Sequence, residues 1–147
     1  MRAVPDAAVA LVKRFEGLRL EPYRDAAGFW TVGWGHLIGR DRRAPRPPPI
    51  DEDQAGALLV ADLARTAAAV LRLARVPLTD GQFGALVSFA FNVGAGNLQA
   101  STLLRLVNRE EHDDVPPQFR RWTHAGGVKL PGLVRRRAAE AAMYAPS

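Results

Sequence analysis

Two carboxylates and one hydroxyl lie close together near the start of this 147-residue chain: Glu16, Asp25 and Thr31. A carboxylic acid can donate a proton to a leaving group, a carboxylate can accept a proton from water, and a hydroxyl can orient that water. Acid–base hydrolysis is the chemistry that such a set would support. A single acid is usually a surface charge, and a threonine on a strand needs no function, so the hypothesis depends on their joint spacing.

The first carboxylate is expected at the end of a helix. Val9, Val12 and Phe15 recur at helical spacing, which indicates a short amphipathic helix. Gly17 follows as a stop signal, because glycine readily adopts the left-handed conformation that ends helices. The helix therefore presents Glu16 on its last turn.

The second carboxylate and the hydroxyl are expected on a hairpin. β-favouring residues flank residues 26–28, which end in a glycine, and this pattern predicts a hairpin with Asp25 in its turn and Thr31 on its second strand. Gly33 and Gly35 alternate with larger residues and predict a continuing strand over which something large passes closely. Three different local structures would thus deliver the three groups to one small volume.

Residues 16–36 also form a longer motif: Glu-Gly-Leu-Arg-Leu, then Tyr-x-Asp, then Gly-x-x-Thr-x-Gly-x-Gly-His. This motif resembles the N-terminal signature of the phage lysozymes, endolysins that hydrolyse bacterial peptidoglycan. The resemblance continues through residues 82–94 and 119–140 and covers nearly the whole chain. It implies that Glu16 is the general acid and that Asp25 and Thr31 hold the attacking water.

The resemblance implies an endo-N-acetylmuramidase that cuts the β-1,4 bond between N-acetylmuramic acid and N-acetylglucosamine and so lyses the bacterial wall. It also implies inversion at the anomeric carbon, for which the two carboxyls stand about 6.5–9.5 Å apart with a water between them. Leu37, Phe91 and Asn92 are the expected substrate contacts. For Asn92, a helix-terminal hydrogen bond to nearby backbone is an equal alternative.

No cofactor and no metal are expected. His36, His112 and His124 are scattered without metal-ligand spacing, and the chain has no cysteine, which excludes a disulfide framework and a thiolate metal site. We expect His36 to make a buried hydrogen bond that supports the site.

Charge and composition define the partners. The net charge is +5, and every basic residue except Lys13 and Lys129 is arginine, which favours polyanions such as nucleic acid, an anionic membrane or an anionic cell wall. No nucleic-acid-binding signature is present, and the resemblance to phage lysozymes implies that bacterial peptidoglycan is the partner. The apolar run at residues 7–12 is too short for a signal-peptide core or a membrane span. We therefore expect a soluble protein without stable membrane insertion. The resemblance further implies a monomer made in the bacterial host cytoplasm and released to the wall through a holin-like pore.

The expected fold is mainly helical α+β, a lysozyme-like two-lobed arrangement within a single domain over residues 1–147. A lobe with a small antiparallel sheet (about 15–50) would be joined by a long helix (about 51–75) to a helical lobe (about 79–147), with the cleft between the lobes. Residues 39–50, rich in arginine and proline, predict an exposed segment that is a solvated connection, a wall-contacting basic loop or, from composition alone, a ligand for proline-binding modules. The arginines at 135–137 favour a solvated helix face with one arginine paired to an acid over the alternative of a phosphate-binding patch.

Two other classes of function stay open at this point. A lytic transglycosylase would cut the same bond with an acid but without water, which would leave Asp25 and Thr31 superfluous. A basic protein that binds nucleic acid without catalysis is the other alternative.

Overall fold

The computed structural model describes residues 2–146, which form a mainly helical α+β fold with small antiparallel sheets. The chain divides into two compact units: Val12–Leu63, and the residues that precede and follow this range. The helices are α1 (Asp6–Glu16), α2 (Glu52–Leu73), α3 (Asp80–Val93), α4 (Ala95–Ala100), α5 (Thr102–Asn108), α6 (Val115–Phe119) and α7 (Pro131–Tyr144). The strands are β1 (Arg19–Arg24), β2 (Trp30–Gly33), β3 (His36–Leu37), β4 (His124–Ala125) and β5 (Val128–Lys129).

The unit Val12–Leu63 contains the predicted sheet. β1 pairs antiparallel with β2, and β2 pairs antiparallel with β3, in the order β1-β2-β3. The predicted sheet over residues 18–38 and the hairpin around residues 26–28 are therefore confirmed. The buried apolar residues of this unit come from the two helices, from β2 and from the turn that follows it: Val12, Val32, Trp34, Ala55, Leu59 and Leu63.

The prediction of one strand continuing through Gly33 and Gly35 is wrong beyond Gly33. Gly33, with φ +70°, is the last residue of β2, and the chain turns at residues 34–35, where Gly35 has φ +75°, before β3 begins. A φ in this left-handed region ends the extended backbone, and glycine adopts it without a steric penalty. The alternation of small and large residues here therefore encodes a turn.

The long helix α2 begins where its capping signal predicts. Gln54 N donates to Asp51 Oδ1 (2.7 Å), and Asp51 N donates to Gln54 Oε1 (2.9 Å), which is a reciprocal capping box. Between β3 and this cap, residues 39–50 have no regular secondary structure and are largely exposed, as their composition predicts.

The other unit is built around α3. Thr79 and Gln82 form the capping box at the start of this helix, and every residue from 83 to 90 is buried. A helix that is apolar nearly all round is expected at the centre of a helical core, and α3 packs against α7. α7 begins with Pro131, whose fixed φ suits the first helical position.

The prediction that the arginines at residues 135–137 form a solvated helix face is wrong for two of the three residues. Arg136 is 3% exposed and Arg137 is fully buried. Both pair with the buried carboxylate of Glu140, at 3.3 Å for Arg136 Nε and 2.9 Å for Arg137 Nε. Ser88 Oγ donates to the same carboxylate at 2.6 Å. The charges are tolerated inside because ionic and polar partners surround them.

A second hairpin, β4–β5, was not predicted. Its strands are two residues each, and Gly126 (φ +57°) and Gly127 (φ +79°) form the turn. Within residues 2–146 no helix has the length and apolar content that crossing a bilayer requires.

Candidate active site

Glu16 is the last residue of α1, as predicted, and is half-buried. Gly17 has φ +72° and donates its N–H to Lys13 O (3.0 Å), which ends the helix directly after the carboxylate. The Glu16 carboxylate lies against Gly35, since a Cβ added to Gly35 would stand 2.6 Å from Glu16 Oε1. The group that lies close to Gly35 is therefore the Glu16 carboxylate.

Asp25 follows β1 directly and is held by its own turn. Its Oδ1 accepts hydrogen bonds from Ala27 N and Phe29 N, both at 2.9 Å. Its backbone N–H donates to Phe29 O (2.8 Å), and its carbonyl accepts from Gly28 N (2.9 Å). Side-chain bonds of this kind are the reason aspartate favours turns. Both bonds to the carboxylate end on Oδ1, so the turn fixes the group without using Oδ2.

Thr31 lies on β2, is 5% exposed, and donates its hydroxyl to Phe29 O (3.2 Å). Its neighbour across the β1–β2 pair is Tyr23, and its neighbour across the β2–β3 pair is Leu37. Directly opposed residues of antiparallel strands project from the same face. Thr31 and the predicted substrate contact Leu37 therefore share one face of the sheet with Tyr23.

Tyr23 connects the two carboxylates electrostatically. Burial raises the pKa of the Tyr23 hydroxyl, and the negative charge of Glu16 raises it further. Arg19 lowers this pKa and Asp25 raises it; the Arg19 guanidinium lies 4.1 Å from the centroid of the tyrosine ring. The charges of Glu16 and Asp25 therefore shift the pKa of Tyr23 in the same direction, and Thr31 lies opposite Tyr23 in the strand register.

His36 lies on β3, and its Nδ1 is 2.8 Å from Asp62 Oδ2 of α2. Both side chains are largely buried, at 22% and 12% exposure. A carboxylate at this distance fixes the orientation of an imidazole ring. A buried hydrogen bond of His36 is expected from the sequence, but its partner on α2 is not.

The other two predicted substrate contacts belong to the helical unit. Phe91 and Asn92 lie on the last turn of α3, Phe91 half-buried and Asn92 exposed. Asn92 Oδ1 accepts a hydrogen bond from Arg137 Nη2 at 2.6 Å. This side-chain partner differs from the predicted backbone bond, and the sugar contact of Asn92 stays a prediction.

Several residues of the site carry no role in the sequence analysis. The sequence places Tyr23 in a motif and Asp62 in a predicted helix without assigning a role to either. The register of β1 and β2 is the signal that could have identified Tyr23. Among the described residues, no group of three or more histidines and acids is arranged to hold a metal ion.

Comparison with known proteins gives consistent matches over most of the chain. The family model described as Phage lysozyme matches residues 13–140. An endolysin of Acyrthosiphon pisum secondary endosymbiont phage 1 is 36% identical over 145 residues, covering 96% of this chain and 97% of that protein. A SAR-endolysin of Bacteriophage PS119 is 41% identical over 125 residues, covering 85% of this chain and 73% of that protein. Among solved structures, the muramidase domain of SpmX from Asticaccaulis excentricus superposes with a TM-score of 0.89 at 34% identity, covering all of both chains.

Proposed function

The chain belongs to the phage lysozyme family, and from this premise we propose that it is a peptidoglycan hydrolase. Its reaction is the hydrolysis of the β-1,4 bond between N-acetylmuramic acid and N-acetylglucosamine. The observation that carries the proposal is that one unit holds all three side chains in defined positions: Glu16 at the end of α1 against Gly35, Asp25 fixed in the turn after β1, and Thr31 on β2.

Glu16 is the proposed general acid. Protonation of the leaving oxygen requires an acid held in a fixed orientation. The helix end at Gly17 and the close approach of Gly35 to the carboxylate support this role, because they restrict where Glu16 can lie.

Asp25 and Thr31 are proposed to hold the attacking water. Asp25 Oδ1 is engaged by two backbone N–H groups, so Oδ2 is the oxygen that would accept a proton from water. The Thr31 hydroxyl donates to Phe29 O, and its oxygen can accept a hydrogen bond from the same water. Because this water attacks the anomeric carbon directly, from the face opposite the leaving group, the single displacement inverts that carbon.

The supporting roles follow from the same reaction. Leu37, Phe91 and Asn92 are proposed contacts to the sugar chain, and His36 is a proposed structural support that acts through Asp62. Peptidoglycan is the proposed partner of a monomeric enzyme made in the host cytoplasm, with passage to the wall through a holin-like pore. No cofactor takes part in the proposed reaction.

The proposal is tested by turbidity loss of purified cell walls with three variants: Glu16→Gln, Asp25→Asn and Thr31→Val. Each removes one proposed role with little change in shape. We expect the rate to fall by orders of magnitude in Glu16→Gln and to be lost in the other two, while thermal unfolding shows intact folds.

Glu21→Gln is the matched control. Glu21 lies five positions from Glu16, and its exposed carboxylate pairs with Arg46 at 3.2 Å. We expect this variant to keep the wild-type rate. A wild-type rate in Glu16→Gln together with a loss of rate in Glu21→Gln would move the general acid to Glu21.

A further inference from the structure

Residues 39–50 are exposed and irregular, yet they are attached to the hairpin that carries Asp25. Trp30 Nε1 on β2 donates to Ala44 O (2.9 Å). Ile50 N, at the other end of the segment, donates to Leu20 O on β1 (3.0 Å). The segment therefore follows the sheet of its own unit and is more than a solvated connection.

Arg42 is the residue of this segment that contacts the Asp25 turn. Its Nε donates to Ala27 O (2.7 Å), and its guanidinium lies 4.7 Å from the centroid of the Phe29 ring. Ala27 and Phe29 are the two residues whose N–H groups hold Asp25 Oδ1. Arg42 thus contacts both residues on which the orientation of the carboxylate depends.

Arg24, the last residue of β1, completes the attachment from the other side. Its Nη1 donates to Gly28 O and to Arg42 O, both at 2.9 Å. Its guanidinium lies 4.3 Å from the centroid of the Trp30 ring. Nη1 of Arg24 therefore bridges the Gly28 carbonyl, at the tip of the turn, and the backbone carbonyl of Arg42.

Arginine is suited to this position for a physical reason. Its guanidinium is planar, stacks on aromatic rings and donates in the plane of the stack, whereas a lysine ammonium is a compact point charge that does not stack in this way. A five-residue turn at the exposed end of a hairpin is otherwise a mobile part of a fold. A base that must hold water requires a fixed position, and a displacement of about 1 Å can lower a rate about a hundredfold.

We propose that Arg42, supported by Arg24, is a positioning residue that fixes the Asp25 turn for catalysis. This inference rests on the proposed function, because it takes Asp25 as the group that holds the water. It assigns the arginine- and proline-rich segment a role inside the enzyme. Arg42 acts on Asp25 through the backbone of Ala27 and the ring of Phe29.

The test compares Arg42→Gln and Arg42→Lys with Arg43→Gln. Arg43 lies in the same exposed segment, and among the described residues its side chain takes part in no hydrogen bond, ion pair or ring stacking; only its backbone N–H is engaged, by Asp41 Oδ1 at 2.9 Å. Arg42→Gln and Arg43→Gln lower the net charge equally, so a general loss of attraction to an anionic wall would affect both alike. The values of kcat and KM are measured on soluble peptidoglycan fragments well below the unfolding temperature.

We expect Arg42→Gln to lower kcat about tenfold to a hundredfold, with KM within about twofold of wild type because substrate contacts are not removed. Arg42→Lys should recover only part of kcat, and Arg43→Gln should match wild type. Hydrogen exchange gives a readout independent of activity. The amides of Ala27 and Phe29 should exchange faster in Arg42→Gln than in Arg43→Gln.

Two results would overturn the inference: unchanged exchange of both amides in Arg42→Gln, or a kcat in Arg42→Gln equal to that of Arg43→Gln. Full recovery of kcat in Arg42→Lys would also contradict it, since charge alone would then suffice. A wild-type enzyme that released no product would instead overturn the proposed function. The failure of the two proposals is therefore distinguishable.

Discussion

Gly35 allows the placement of Glu16 to be tested without changing the carboxylate. An added methyl group would stand 2.6 Å from Glu16 Oε1, and φ is +75° at this residue. We expect Gly35→Ala to lower kcat about a hundredfold, because the acid must move. The left-handed backbone should also cost about 1–3 kcal/mol in the free energy of unfolding. Wall-lysis kinetics and thermal unfolding measure the two effects.

The control for this substitution is Gly127→Ala. Gly127 has φ +79°, and nothing lies within 4 Å of an added Cβ. It should show the backbone cost and keep the wild-type kcat. If Gly35→Ala were as active as Gly127→Ala, the close approach to Glu16 would have no part in catalysis.

Single residues differ in how far the sequence predicts their surroundings. The elements that carry Glu16, Asp25 and Thr31 follow from local signals, namely a helix stop, a turn residue and a β-favouring run. The partner of His36 does not, because Asp62 lies 26 residues away on another element. Arg42 was assigned to an exposed segment from composition, and its contacts with Ala27 and Phe29 depend on how that segment crosses the hairpin.

The start of α3 provides a test at the scale of a secondary-structure element. Thr79 Oγ1 accepts from Gln82 N (3.1 Å), and Gln82 Oε1 accepts from Thr79 N (2.9 Å). Thr79→Ala removes the first bond, so we expect a loss of about 1 kcal/mol in the free energy of unfolding. The unfolding temperature should fall by about 2–4 °C. Thermal and urea unfolding measure both quantities.

Thr79→Ser keeps the hydroxyl and is the matched variant. It should retain most of the stability of the wild-type protein, since serine caps as well as threonine. Equal destabilisation by Ser and Ala would mean that the threonine methyl group, and not the capping bond, stabilises the start of α3.

Elements with strong local signals were predicted well, and those that depend on distant partners were not. The capping boxes at residues 51–54 and 79–82 gave the starts of α2 and α3. The burial of Arg136 and Arg137 was missed because helical periodicity treats arginine as exposed. Their partner Glu140 is local, whereas Ser88 and Asn92 are 48 and 45 residues away. The hairpin β4–β5 was missed because its strands are only two residues long.

At the scale of the whole molecule, the fold class was predictable because independent signals agree. The motif at residues 16–36, the capping boxes and the apolar α3 all indicate one mainly helical α+β fold, and agreement across levels is typical of a sequence that specifies its structure. The stereochemistry of the reaction is a property of the site and does not follow from the fold. It depends on whether water displaces the leaving group directly or hydrolyses a glycosyl-enzyme intermediate.

The most direct test of this account is the anomeric form of the first product. Peptidoglycan is digested with the wild-type enzyme, and the reducing ends are observed by NMR before they equilibrate and by mass spectrometry. If Asp25 and Thr31 hold a water on the face opposite the leaving group, the first-formed anomer is α, inverted from the β bond. A first-formed β anomer would mean retention, and 1,6-anhydro ends would mean that no water attacks. Either of these results would contradict the roles assigned to Asp25 and Thr31.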